Sequence, residues 1–253
     1  MKDNLRQNLQ EYIDAHREVP LTHLCDEFHI SMSTVRRYVD SLVKEGLCSK
    51  YYGGVRSNTS PQSTLARNTS ENPLEREKRK IAEQAAKFIC EDDIIYIDSG
   101  STTRYILDYV PVDISLTVIT NNYFAIQSAV NLINITVITL PGIFDRKTHA
   151  FISERAVSFL DTFNIHKAFL ACTGITIQNG ATNTYSEEHA TKAQVARKAH
   201  EIFLLADHRK FGISTLMTYC KIENIQTIIT DAQPPKEFTE AFGTIGNRLI
   251  ITR

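Results

Sequence analysis

From Leu74 onward, short apolar runs alternate with helical stretches, and that alternation restricts the fold of this chain more than any other property. The runs are Ile94–Ile97, Leu116–Thr120, Ile135–Leu140, Ala168–Cys172, Ile202–Ala206, Thr227–Thr230 and Leu249–Ile251. Between them lie the helical stretches Thr103–Tyr109, Tyr123–Asn131, Ser153–Phe163 and Glu187–Ala199. Glu75 opens a further amphipathic stretch with Ile81, Ala85, Phe88 and Ile89 on one face. Strands that alternate with helices pair in parallel, because each helix returns the chain to the same end of the sheet. The expected architecture is an α/β domain with a largely parallel sheet and helices on both faces.

Residues 19–56 follow a different pattern: VPLTHLCDEFHISMSTVRRYVDSLVKEGLCSKYYGGVR. Leu21, Leu24, Phe28 and Ile30 suit the inner face of a short helix ending in a tight turn. Ser31 stands where an N-cap belongs, and Val35, Val39, Leu42 and Val43 continue in a second helical run from Met32. Two short helices joined by a few residues are the helix-turn-helix arrangement, the second helix being the reader. Ser33, Thr34, Arg36, Arg37 and Tyr38 fall on its first turns, where side chains reach phosphates and base edges. Gly46 supplies a helix stop, and Leu47–Tyr52 with Gly53-Gly54 reads as a β-hairpin wing. Double-stranded operator DNA is the partner this conjunction implies.

Net charge does not advertise that partner, since the 253 residues sum to −1. The signal is local: Arg36, Arg37, Lys44, Lys50 and Arg56 meet only Asp40 and Glu45 between Met32 and Arg56. So modest a surplus suits two readers on one duplex, and a homo-oligomer, dimer or tetramer, is expected. Ser57–Pro73 (SNTSPQSTLARNTSENP) has the composition of a connector. The expected organisation is a winged helix-turn-helix over residues 1–57, a linker over 58–73 and the α/β domain over 74–253. Cys25, Cys48, Cys90, Cys172 and Cys220 have neither metal nor redox spacing and fit a reducing compartment. With no apolar signal core and no run long enough to span a bilayer, a cytoplasmic protein without a membrane partner is expected.

Ligands of open parallel sheets bind outside the carboxyl ends of the strands, so the segments just after each strand carry the functional signal. Asp98-Ser99-Gly100-Ser101-Thr102-Thr103 follows the first strand and opens a helix. Gly100 admits close backbone approach, and the hydroxyls and free amides suit a phosphate or another anion. The same residues also suit a capped turn with no ligand. Neither a dinucleotide fingerprint nor a P-loop is present, and no cofactor is expected. Thr120 and Asn121 end the next strand, where amides could meet sugar hydroxyls or serve a turn. Asp207 and Lys210 follow a later strand; Lys210 could meet a phosphate as a point charge, and Asp207 could accept sugar hydroxyls. Glu188 and Lys192, at i and i+4, either form an exposed helix pair or face one cavity. The histidines show no metal spacing, and no metal site is expected.

On these residues the whole chain resembles the DeoR family of bacterial transcriptional regulators. The resemblance is carried by ISMSTVRRYVDSLVKEG and YYGGV, then by IYIDSGSTT, VITNN, ACTGI, NGAT and LLADHRKFG. It implies a winged reader followed by a sensor domain similar in fold to ribose-5-phosphate isomerase, which binds a phosphorylated sugar. Carried over, Ser33, Thr34, Arg36 and Arg37 belong to the recognition helix and Asp98–Thr103 form the phosphate loop. Thr120 and Asn121 become a second wall, with Glu188, Lys192, Asp207 and Lys210 as the remaining polar contacts. Tyr38 stands where the family typically has Asp, and His208-Arg209 replaces smaller residues. The expected function is a DNA-binding regulator, a repressor, of a carbohydrate-metabolism operon, with DNA affinity controlled by the sugar phosphate. The alternatives are a sugar-phosphate isomerase with an attached reader, and an architectural protein whose second domain only assembles. Glu188, Asp98 and Asp207 could serve as a catalytic base, so carboxylates alone leave the isomerase open. An enzyme gains nothing obvious from the reader, and a regulator is expected.

Overall fold

A serine cap and a glycine stop delimit the helix on which the first part of the structure is built. The computed structural model describes residues 5–6, 9–10, 12–13, 16, 18–28, 30–57 and 73–252, so the predicted linker lies outside the described residues except at Pro73. The chain divides into two compact units, Met1–Glu71 and Asn72–Arg253.

In the first unit, β1 (Glu18–Pro20) leads into α1 (Leu21–Phe28), then α2 (Met32–Lys44), β2 (Cys48–Tyr51) and β3 (Gly54–Ser57). The Ser31 hydroxyl accepts the Thr34 N–H at 3.3 Å, satisfying one of the orphan amides that begin any helix. At the other end Gly46 takes φ 73°, and Leu47 N–H reaches the Leu42 carbonyl at 2.9 Å, the backbone geometry of a glycine-terminated helix. Val35, Val39 and Leu42 are fully buried and pack with Leu9, Ile13, Leu24 and Val55. The predicted hairpin is β2–β3; β1, which sequence did not suggest, pairs antiparallel with β3 to give the order β1–β3–β2.

The second unit begins with α3 (Pro73–Ala86), β4 (Ile94–Ile97) and a 3-10 helix (Thr103–Tyr109). There follow β5 (Leu116–Thr120), α4 (Tyr123–Ala129), β6 (Ile135–Thr139), β7 (Ile143–Asp145), β8 (Ala150–Ile152) and α5 (Arg155–Leu160). Next come β9 (Lys167–Ala171), β10 (Gly174–Thr176), β11 (Gly180–Asn183), α6 (Ser186–Lys198) and β12 (Glu201–Leu205). The chain ends with β13 (Met217–Cys220), β14 (Thr227–Thr230), α7 (Lys236–Ile245) and β15 (Arg248–Ile251). All seven predicted strands join one sheet in the order β15–β14–β12–β9–β4–β5–β6. Every pairing in it is parallel. Two small antiparallel additions, β10–β11–β13 and the hairpin β7–β8, were not expected from sequence.

Successive side chains of a strand point to opposite faces, and here both faces are buried. Ile95, Ile97, Phe169, Phe203 and Leu205 point to the face covered by α3, the 3-10 helix and α4. Tyr96, Ala168, Leu170, Ile202 and Leu204 point to the face covered by α5, α6 and α7. The chain lays β4, β5 and β6 in one direction and then returns to the other side of β4 with β9. That reversal opens a crevice between the carboxyl ends of β4 and β9, which is where this architecture places ligands.

Phe169 is fully buried on β9 and stacks on Phe203 with ring centroids 4.9 Å apart. Phe169→Ala is expected to cost about 3–5 kcal/mol through lost burial and an unfilled cavity. The measurement is a urea titration followed by circular dichroism: an earlier midpoint at unchanged slope is expected, and an unmoved midpoint would contradict this packing.

Candidate functional site

At the crevice, the loop after β4 is held almost entirely by its own protein. Asp98 is 1% exposed; its Oδ2 accepts the Ala171 N–H at 3.0 Å and forms an ion pair with Lys192 Nζ from α6. Lys192, itself buried, also donates to the Ala171 carbonyl at 3.0 Å, as does the Tyr219 hydroxyl at 2.9 Å. Thr103 Oγ1 donates to the Asp98 carbonyl at 2.7 Å, and Asn122 Nδ2 reaches the same carbonyl at 2.9 Å. Asn122 Oδ1 meanwhile accepts the Phe124 N–H at 3.0 Å and so caps α4. Gly100 is required by proximity: a Cβ there would stand 2.3 Å from the Ala171 Cβ, closer than atoms approach.

In front of this scaffold lies a cavity of about 300 Å³. Of the predicted effector residues, Ser99, Gly100, Ser101, Thr102, Glu188, Lys192, Asp207 and Lys210 line it. Asp98, Thr103, Thr120 and Asn121 do not; they stand behind the wall and are engaged internally. Thr120 Oγ1 donates to the Ile97 carbonyl at 2.6 Å, and Asn121 Oδ1 accepts the Tyr96 hydroxyl at 3.2 Å. For these four, the side-chain hydrogen bonds described are to other parts of the protein.

Other lining residues escaped the sequence reading: Arg104, Phe124, Lys147, His149, Asn183 and Tyr185. Arg104 directly follows the loop, so its position was a usable signal. Its guanidinium lies 4.4 Å from the Tyr105 ring and 4.9 Å from that of Phe124, and Nη2 donates to Glu75 at 3.0 Å. Lys147 and His149 arrive on the β7–β8 hairpin, with Lys147 4.6 Å above the Tyr185 ring. Lys78, on α3, donates to Ser101 Oγ at 2.7 Å. No local motif marks Lys78, because only the packing of α3 brings it to the loop.

The electrostatics favour an anion. Burial lowers the Lys78 amine; Asp207 opposes that effect, while Lys210, Arg104 and Arg209 add to it by repulsion. A bound anion would relieve this crowding of cations. Burial raises the Glu188 carboxyl, with Lys192 opposing, and Ser99 donates to Glu188 at 3.2 Å. Burial would also raise Asp207, but the hydrogen bond from Arg209 and the charges of Lys210 and Arg209 hold it below the usual carboxylate range. Asp207 Oδ2 is buried without a hydrogen-bond partner, a costly arrangement unless something completes it. Among the described residues, Glu77, His208 and Asp231 bring metal-ligand types of atom within 4.8 Å of one another. His208 Nδ1 and its backbone N–H already bond Asp231, at 2.6 and 2.7 Å.

In the first unit, Ser33, Arg36 and Arg37 are exposed on α2 and, with Met32, Asp40, Ser41 and Lys44, border one shallow concavity. Thr34 is half-buried, its hydroxyl 2.9 Å from that of Ser31. Tyr38, grouped with the reading residues by sequence, is half-buried: it packs against the buried cluster of the unit and has the Arg37 guanidinium 5.2 Å from its ring. The charge count changes too, because Lys50 pairs with Asp40, Arg56 with Glu18 at 2.8 Å, and Arg6 with Glu45. Arg36, Arg37 and Lys44 are left without an ion pair among the described residues.

Comparison with known proteins bears on both units. Residues 6–61 match the DeoR-like helix-turn-helix domain, and residues 74–232 match the DeoR C terminal sensor domain. The chain is 39% identical over 234 residues to the HTH-type transcriptional regulator IolR of Bacillus subtilis, covering 92% of this chain and 93% of that one. It is 28% identical to the L-fucose operon activator of Haemophilus influenzae, over 89% of this chain and 90% of that one. The Glycerol-3-phosphate regulon repressor of Escherichia coli is 24% identical, over 93% of each chain. Among solved structures, ribose 5 phosphate isomerase A from Neisseria gonorrhoeae aligns with a TM-score of 0.40 and 17% identity, over 56% of this chain and 55% of that one. Among the described residues no helix is long and apolar enough to cross a membrane.

The Asp231 hydrogen bond raises the His208 imidazole above its ordinary value; slight burial opposes this, and Asp231, Glu77 and Asp207 add favourable charge. A raised folded pKa gives stabilisation that is complete below the unfolded value of about 6.5 and is lost as pH rises through the folded value. His208→Gln should therefore melt below the parent at pH 5.5, with the gap closing towards pH 9. Thermal melts across that range check it, and a gap that widens with pH would contradict the pairing.

Proposed function

The chain belongs to the DeoR family of transcriptional regulators, and we propose that this DNA-binding regulator senses a phosphorylated sugar in the cavity at the ends of β4 and β9. It is a regulator rather than an enzyme, as its family and relatives are. The observation that carries the effector reading is the cation set at one small cavity: Arg104, Lys147, Lys192 and Lys210 line it and Lys78 bonds its Ser101. Lys192 is committed to Asp98 and Arg104 to Glu75, so Lys78, Lys147 and Lys210 are the charges left for a phosphate among the described residues. The amides and hydroxyls from Ser99 to Thr102 complete its cradle. Glu188 and Asp207 face the same space and suit sugar hydroxyls, which donate. A cavity of about 300 Å³ matches a pentose or hexose phosphate.

On the DNA side, α2 is the groove helix and Ser33, Arg36, Arg37 and Lys44 its outward contacts, with Thr34 holding the cap. Three cations without ion pairs among the described residues give one reader limited grip, and a homo-oligomer reading repeated half-sites supplies the remainder. The proposed boundaries are a reader over 1–57, a linker over 58–73 and a sensor over 74–253. Repression of a carbohydrate operon, with DNA affinity controlled by the effector, is the role we assign, and a cytoplasmic location goes with it.

Titration calorimetry with a panel of pentose and hexose phosphates, each beside its unphosphorylated parent, tests the sensor. Lys210→Ala is expected to weaken the phosphorylated ligand about tenfold or more while leaving the parent sugar nearly unaffected. Equal losses for both would make Lys210 structural, and no binding by the parent chain would overturn the effector reading. For the reader, Arg36→Ala/Arg37→Ala should abolish sequence preference without lowering the melting temperature. For each DNA phosphate that is no longer neutralised, the salt slope falls by about one. Unchanged preference in a gel-shift competition would contradict the assignment of α2.

A further inference from the structure

We propose that Glu75 is an internal stand-in for the effector's phosphate: it holds Arg104 until a phosphate enters, takes Arg104 from it and frees the first turns of α3. The inference rests on the sugar-phosphate reading of the cavity. Arg104 directly follows the loop that lines the cavity, and its backbone N–H donates to the Gly100 carbonyl at 3.3 Å, so it is tied to the phosphate cradle. Among the described residues, the hydrogen bonds of its guanidinium all run through one nitrogen, Nη2, to Glu75 Oε1 at 3.0 Å and to the Tyr105 hydroxyl. Nε is buried without a partner, although the side chain lines the cavity. A planar fork with open donors suits a phosphate, which brings more charge and more acceptor oxygens than one carboxylate.

The two halves of α3 are held by different forces. Polar side chains fasten its first turns: Glu75 to Arg104 and the Tyr105 hydroxyl, Lys78 to Ser101 Oγ at 2.7 Å, and Arg79 to Asp108 at 3.3 Å. Burial fastens the remainder, where Ile81, Ala82 and Ala85 are fully enclosed against the sheet. The Glu75 and Lys78 attachments both end on residues of the cavity wall, Arg104 and Ser101. A phosphate seated there draws on Arg104 and Lys78, so the ligand and the first turns of α3 compete for the same groups. Such competition is reciprocal: whatever strengthens the hold of Glu75 weakens the ligand by the same factor. Because α3 opens at Pro73, where the proposed linker ends, the loosened turns are those that the linker enters.

The test uses the full chain at constant ionic strength, with inorganic phosphate and the sugar phosphates of the calorimetric panel as probes. Hydrogen exchange read by mass spectrometry is expected to quicken about fivefold or more over residues 74–80 on binding, with residues 81–89 unchanged. Glu75→Gln keeps the shape of the side chain and removes its charge, so residues 74–80 should exchange quickly before any probe is added. The same variant should bind the probe about fivefold or more tightly, because Arg104 is no longer withheld. Glu77→Gln removes an equal charge from the same helix, beside His208, and should change neither reading. Exchange over residues 74–80 that slows or stays level on binding overturns the proposal, as does an unchanged or weaker affinity in Glu75→Gln. Equal tightening in Glu77→Gln also overturns it, by assigning the gain to net charge. Should Glu75→Gln fail to fold, the exchange response of the parent chain decides. A parent that binds no probe overturns the sugar-phosphate reading, whereas one that binds with α3 unchanged overturns the role of Glu75 alone.

Discussion

The buried ion pair between Asp98 and Lys192 is the constraint on which the sensor domain turns. Two opposite charges lie within the protein where strand order reverses, and both are also hydrogen-bonded to the Ala171 backbone. A pair so placed is tolerated because its remaining hydrogen-bonding capacity is met; removing one partner strands the other at a cost of about 3–5 kcal/mol. Through this pair β4, β9 and α6 are fastened at one point, and the loop that follows Asp98 inherits a fixed origin. The loop's small residues then serve proximity, since Gly100 has no room for a side chain against Ala171. The acidic residue that opens the motif thus stands behind the cavity wall and fixes the loop that lines it.

How much of this was legible depended on whether the signal was local. The sheet was readable because each strand is buried on both faces, and IIYI, IFLLA and TIIT therefore stand out as apolar runs. The β10–β11–β13 sheet was not, because GIT and GATN are short, small and glycine-bearing, and β13, which completes the sheet beside β11, lies far along the chain. Thr103–Tyr109 was recognised as helical, but its tighter 3-10 winding follows from the loop hydrogen bonds that precede it. At the site, residues just after strands were found, whereas Lys78 and Lys147 reach the loop and cavity only through the packing of α3 and the β7–β8 hairpin.

The reader shows the same division between what sequence counts and what structure spends. The basic residues after Met32 are partly consumed, Lys50 by Asp40 and Arg56 by the sequence-distant Glu18, while Glu45 is taken by Arg6. What faces outward is narrower than the composition suggests, and it is concentrated on one helix. Tyr38 illustrates a second limit, since helical periodicity places it near Arg37 in sequence but one hundred degrees round the axis, towards the core.

Cys172 lines the cavity, yet burial pushes its thiol up to about 12. The neutral thiol is favoured near neutral pH, whereas the thiolate is the form that peroxides and electrophiles attack. The Cys172 sulfur therefore forms a small, neutral part of the cavity wall. At this point the cavity presents a neutral, weakly reactive surface to whatever enters it.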